Sequence, residues 1–539
     1  MNQPTDGPVP ENNPPQPAHG GPTSYTFPGA TEPVELTDPS SSAGDAGPAA
    51  PPRRRTSRAL LVGGVATVLV LGVGGAVAIQ QLSGSGPRPS DVLPGDTFGY
   101  VQVDIDPSAG QKLAAVRFLG KIPEIKDLES GDTRKKLWDL AVAKSDDDCV
   151  KDFDFARDID PWLGDRVGLG LRPGGTADDP NVVAALQVKD QDQAMSTLGR
   201  LADCGEGGDQ VDLRAKDGYV LFTRHGQGDA TLAAIGKGTL SQNAAFSDDM
   251  AALGEQGVAT TWWNVGPIAK EFSSALLFGV RAPDAPQDLQ GRVAAALRFD
   301  PGYAEIAGIA RGFSGAAQSI QPVDGDLSEL AALPEDTLAA VHVSGGAQLL
   351  DQAWPQLKKQ INDVASSGGM DDPLGEIEDE LGLALPDDLK VLLGSSFTLA
   401  LPDQEFGSDV PAIGAKVVTS DAQRAEEVVS TIEDASGAAG LLTKSVDGDR
   451  LYVATTPDYV DQLRSGGNLG ETDGFKAALG DATDADYAVY VDLDRLEKLY
   501  LEEADGEARA ALEAMRAVGI SSTVTGQGEA AFAFRLVAN

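Results

Sequence analysis

The chain is poor in the side chains on which most enzymes rely. Its 539 residues include three histidines, His19, His225 and His342, and two cysteines, Cys149 and Cys204. HExxH is absent, and no other recognisable metal-ligand spacing is present. The G-x-S-x-G nucleophile elbow, the P-loop and a G-x-G-x-x-G turn after a strand are missing too. A Ser-His-Asp triad would need His225 or His342 as its base, and His342 sits in the strand-like stretch AAVHV, where a structural role is expected. Carboxylates are too numerous for one pair to stand out as the acid and base of a glycosidase. No catalytic, cofactor-binding or metal-binding residue is singled out, and a non-enzymatic protein without a cofactor is expected.

Basic residues are scarce as well. Lysine and arginine number 42 against 82 acids, a formal net charge of −40. Such a surface repels nucleic acid and anionic lipid headgroups, so no nucleic-acid partner is expected. The densest acidic stretch, SDDDCVKDFDFARDID at 145–160, lacks the spacing of acids, glycine and closing glutamate that defines an EF-hand loop. Cys149 and Cys204 are a candidate disulfide. Bridging them would close a loop of about 55 residues, worth roughly 4 kcal/mol of chain entropy. Two free thiols are the alternative, since spacing does not set their distance.

One long apolar run is present. Residues 59–79, ALLVGGVATVLVLGVGGAVAI, carry no charge. At about 1.5 Å per helical residue they reach roughly 31 Å, the thickness of a bilayer's hydrocarbon core. Arg53, Arg54, Arg55 and Arg58 precede the run and nothing comparable follows it, which places the N-terminus in the cytoplasm and the remainder outside the plasma membrane. Ala76-Val77-Ala78 has the form of a signal-peptidase site, but the run is too long and too far from the start for a signal peptide, so an uncleaved anchor is expected. Gly72 with Ala76, and Gly74 with Ala78, place small residues four apart, as any Gly- and Ala-rich span does readily.

Residues 1–58 hold six acids and four arginines, a net of −2, leaving −38 beyond them. Thirteen prolines in residues 1–52 make this tail too polar and too stiff to form a core, so disorder is expected. Thr56 and Ser57, flanked by arginines, are candidate phosphorylation sites.

Beyond the run the chain repeats itself. LPGDTFGYVQV at 93–103 returns as LPEDTLAAVHV at 333–343, and LGDRVGLGL at 163–171 as LGSSFTLAL at 393–401. AALQVKDQDQA from Ala184 resembles GAKVVTSDAQRA from Gly414, and DGYVLFT from Asp217 resembles DRLYVAT from Asp449. GTLSQNAAF at 238–246 matches GNLGETDGF at 467–475, and TTWWNVGPI at 260–268 matches AVYVDLDRL at 488–496. Six matches in one order, at offsets drifting between 240 and 228, point to an internal duplication. The resulting division is a tail at 1–58, a transmembrane helix at 59–80, a linker at 81–91, and ectodomain copies at 92–325 and 326–539. Alternating strands and single helices give an α+β class: two tandem related domains, mainly antiparallel sheets with helices on one face. By this alignment Trp263 lies with Val491 in the core, while Trp262 lies with Tyr490 on the opposite face, where packing against a helix or the other copy is expected and a ligand-facing aromatic is the alternative.

The Pro-rich tail, the Arg-flanked span, the LPxDTxxxVxVD opening at 93–104 and the Ala-rich duplicated halves resemble an actinobacterial single-pass membrane protein family classed as a domain of unknown function. The resemblance implies an envelope location and supplies no site residue. The function expected is a non-enzymatic binding or scaffolding role in the cell envelope, with the bilayer and an envelope protein or ligand as partners. A carrier of lipid or another apolar ligand is one alternative, and an envelope hydrolase is another. The ligand and the oligomeric state are left open.

Overall fold

Stretches rich in β-branched and aromatic residues, such as GYVQVD and TLAAVHVS, lay the chain into strands. In the computed structural model of the protein these strands join into one antiparallel sheet of 16. The structure describes residues 86–539 apart from 106, 123–132, 144–147, 176–179, 205–209, 272–289, 368–371, 406–409 and 502–505, all within one compact unit. The apolar run at 59–79, with Thr56 and Ser57, lies outside these residues. Among the described residues no helix is long and apolar enough to cross a membrane.

The first half supplies β1 (Gly99–Asp104), β2 (Leu163–Arg172), β3 (Asn181–Val188), β4 (Val211–Lys216), β5 (Tyr219–Arg224), β6 (Ala259–Asn264), β7 (Arg292–Phe299) and β8 (Tyr303–Arg311). The second supplies β9 (Thr337–Ser344), β10 (Ser396–Pro402), β11 (Gly414–Val418), β12 (Thr443–Asp447), β13 (Arg450–Ala454), β14 (Tyr487–Asp492), β15 (Met515–Gly526) and β16 (Glu529–Ala538). Their order is β12-β13-β11-β10-β9-β14-β15-β16-β8-β7-β6-β1-β2-β3-β5-β4. Read inward from its two ends, the sheet runs through strands that differ in number by eight, from β12 and β4 at the edges to β16 and β8 in the middle. The halves share one sheet, rather than each closing its own, because β8 and β16 pair antiparallel in the middle. Trp262 leads through Ala294 to Ile309, and Tyr490 leads through Gly519 to Arg535. Ile309 and Arg535 thus hold matching places, and the pair Ala307–Ala533 lies on the local dyad. Arg535 bonds Glu305 across this seam at 2.9 Å and stacks over Tyr303, with both charges largely buried.

The register corrects two of the sequence matches by one residue. Val220 and Leu451 pack on the same side, as do Phe222 and Val453, so Asp217 corresponds to Gly448 rather than to Asp449. By the same logic Leu186 corresponds to Val417. A slip of one residue turns every side chain to the other face, so the burial pattern decides the alignment.

Helices cover both faces of the outer sheet, not one. Val103, Val167, Leu186 and Val220 point to a front face, packed under α3 (Gln191–Asp203). Tyr100, Ala185, Tyr219 and Trp262 point to the back, under α4 (Gly228–Ile235) and α5 (Ala244–Leu253). The second half repeats this, with α10 (Ala422–Ala435) in front and α11 (Pro457–Ser465) and α12 (Asp473–Leu479) behind. Their caps correspond too: Asp190 and Asp421 accept from Gln193 and Arg424, and Asn243 and Thr472 cap α5 and α12. The remaining helices used below are α1 (Ala109–Leu119), α2 (Thr133–Ala143), α6 (Val265–Glu271), α7 (Gly346–Ser367), α8 (Pro373–Leu381), α9 (Asp387–Leu393), α13 (Leu493–Tyr500) and α14 (Gly506–Glu513).

Candidate functional site

In the middle of the sheet the two faces differ sharply. At the back, Ala340, His342, Ala488, Tyr490, Ala517 and Ala294 are each no more than 3% exposed. On these and the adjoining central strands the front side chains are also apolar, yet solvent reaches them. Ile306 is 44% exposed, Leu399 41%, Tyr487 38% and Phe534 37%.

The register arranges these front residues in a line. Leu399, Val341, Val489, Ile520, Phe534, Ile306 and Leu297 stand directly opposite one another on β10, β9, β14, β15, β16, β8 and β7. Six inter-strand steps of about 4.8 Å make the row roughly 29 Å long. A row on one side runs Phe397, Val343, Tyr487, Ser522, Phe532, Gly308, Ala295. The row on the other runs Leu401, Ala339, Val491, Val518, Leu536, Ala304, Phe299. No charged side chain occurs in the three rows, and the polar groups are the hydroxyls of Tyr487 and Ser522. Helices close the margins. Phe118 and Leu119 of α1 pack with Phe299, Ala304 and Leu536, joined by Leu493 of α13 and Ala511 of α14. Val391 and Leu392 of α9 pack beside Phe397.

The two histidines among the described residues have partners in place. The ring of His342 is fully buried: Nδ1 bonds Thr398 Oγ1 at 2.8 Å and Nε2 bonds the Asp326 carbonyl at 2.9 Å. Burial holds its pKa below the usual imidazole value. His225 lies on the surface with Nδ1 3.2 Å from Asp212, so His225 and His342 share no partner. Of the adjacent tryptophans Trp262 is the buried one, its Nε1 donating to Asp249 Oδ2 at 2.9 Å, while Trp263 is half-buried over Gly99. The expectation that Trp263 was the core residue is thereby reversed. Two pockets of about 580 and 540 Å³ occupy corresponding back-face notches, floored by Phe475 and Phe246.

Cys149 and Cys204 are joined in a disulfide, with Cα atoms 5.5 Å apart, tying the turn at Asp148–Lys151 to the end of α3. In the acidic stretch around Cys149, Asp154 caps its own turn, Asp158 pairs with Arg157 and Asp160 with Arg134. Among the described residues no three His, Cys, Asp or Glu side chains are grouped to hold a metal.

The open front face escaped the sequence reading. Its strands, such as AVYVD and TLAAVHVS, are apolar on both alternations, as they would be if both sides were packed. No curated protein and no solved structure matches the chain. Residues 58–255, from the arginine before the apolar run to the loop before β6, match the family described as "Protein of unknown function (DUF3352)".

Proposed function

We propose that this chain is a non-enzymatic binding protein whose open front face takes up a hydrocarbon chain. The row from Leu399 to Leu297 carries the proposal. Apolar surface left open to water marks a binding site, and apart from two hydroxyls the three uncharged rows offer a ligand only hydrocarbon to bind. A protein partner would need roughly one hydrogen bond per 100–200 Å², whereas this face offers two hydroxyls.

The same reading takes 92–325 and 326–539 as two copies of one unit, supported by their shared strand order, matching caps and the dyad at Ala307–Ala533. It sets the protein outside an actinobacterial plasma membrane, anchored through 59–79. Seven residue steps separate Ile79 from Gly86, so the sheet would be tethered within about 25 Å of the bilayer. An acidic surface suits that setting, since it keeps an exported protein soluble.

The test is a titration of the 86–539 fragment, which contains the whole sheet, with the uncharged fluorophore N-phenylnaphthylamine. Saturable binding displaced by a long-chain alcohol is expected. A response that never saturates, or that the alcohol leaves unchanged, would overturn the proposal.

A further inference from the structure

Helix α7 is built differently from the other long helices of the fold. Over 22 residues it gathers Leu350, Trp354, Leu357 and Ile361 at the i, i+4, i+7, i+11 spacing of one helical face. Gln348, Asp351, Pro355 and Lys359 stand exposed on the opposite side. A helix that seals a core buries the centre of its stripe: in α10, Ala425 and Val428 are wholly buried. In α7 the centre is Leu357, which is 38% exposed, while Leu350, Trp354 and Ile361 are half-buried. The helix packs on α8 and α9, and its apolar stripe is left partly open to water.

Its charges also balance. Asp351 and Asp363 balance Lys358 and Lys359, a net of zero, whereas the neighbouring α8 carries four acids and no base. A neutral amphipathic helix with a tryptophan in its apolar stripe and lysines on its polar side has the make-up of a helix that lies in a membrane interface. The sequence places the chain beside a bilayer, since residues 59–79 have the length and composition of a span.

We infer that α7 docks onto a lipid bilayer, laying Leu350, Trp354, Leu357 and Ile361 into the interface. With −38 beyond residue 58, the surface it meets is zwitterionic rather than anionic. The inference goes beyond the hydrocarbon-binding reading and does not depend on it. Titration of the 86–539 fragment uses no membrane, so each can fail alone.

The test uses the full chain reconstituted in phosphatidylcholine vesicles, with and without brominated acyl chains. Trp354 emission is isolated as the difference between the unaltered chain and Trp354→Phe. Insertion at the acyl boundary predicts that brominated lipid removes about half or more of that emission. Leu357→Asp should abolish the quenching, and Leu357→Met should keep it. Replacing part of the lipid by phosphatidylglycerol should weaken it. Equal Trp354 emission in both vesicle types would overturn the inference, as would quenching that survives Leu357→Asp or grows with phosphatidylglycerol.

Discussion

Truncating Ile306 to alanine separates a packed face from an open one. A fully buried isoleucine side chain contributes about 1.5–3 kcal/mol. Ile306 is 44% exposed, so slightly more than half of that applies, and water fills the space without leaving a cavity. The expected cost to stability is roughly 1 kcal/mol. Leu338, on β9, is 1% exposed, and Leu338→Ala should cost about 2–5 kcal/mol through lost contacts plus a cavity. Ligand binding should show the reverse order. Covering the exposed part of three lost carbons is worth about 1 kcal/mol at ~0.8 kcal/mol per methylene, which is roughly fivefold in Kd. Urea unfolding gives the first quantity and N-phenylnaphthylamine titration the second. If Ile306→Ala destabilises as much as Leu338→Ala and leaves affinity unchanged, the front face is a packed core and the reasoning fails.

Three further outcomes follow from the same structure. Reducing the Cys149–Cys204 bridge, which closes a 55-residue loop, should cost about 4 kcal/mol, seen as a lower urea midpoint with reductant; an unchanged midpoint would contradict this. Burial lowers the pKa of His342, so the folded state favours the neutral ring and the unfolded state takes up the proton first. Its contribution is therefore complete above its ordinary value near 6.5 and is lost as pH falls from there toward the lowered folded value. His342→Gln should flatten that part of the stability profile, and a profile of the same slope would refute the assignment. Gly394→Ala should destabilise by more than Gly437→Ala. Both have positive φ, worth about 1–2 kcal/mol, but only at Gly394 would the new Cβ meet a backbone oxygen, that of Val418, at 2.1 Å. Equal urea midpoints would show that the loop yields.

Much of the architecture was legible because strand pairing leaves a mark on sequence. The match of 93–103 with 333–343 agrees with the register, in which Tyr100 and Ala340 sit opposite Trp262 and Tyr490. The slip at Asp217 and Asp449 arose because the two turns place their aspartates differently. Asp217 and Gly218 both take positive φ before β5, whereas in the second turn Gly448 takes it. Helices on the second face were missed for a related reason: Val183, Ala184, Ala185 and Leu186 are apolar without a break, and a continuous run does not show which side is covered. The same ambiguity hid the candidate site. Val341 and His342 are neighbours in one strand, and the polar residue is the buried one, satisfied by Thr398 and the Asp326 carbonyl. No rule of hydrophobic alternation would have placed the valine toward water.

The central claim, that the front face holds hydrocarbon, is tested most directly by native mass spectrometry of the 86–539 fragment purified without detergent. The account predicts a retained apolar molecule, released in organic solvent and lost when Ile520 and Phe534 are both replaced by aspartate. A bare polypeptide mass, or an adduct that survives the double replacement, would contradict it.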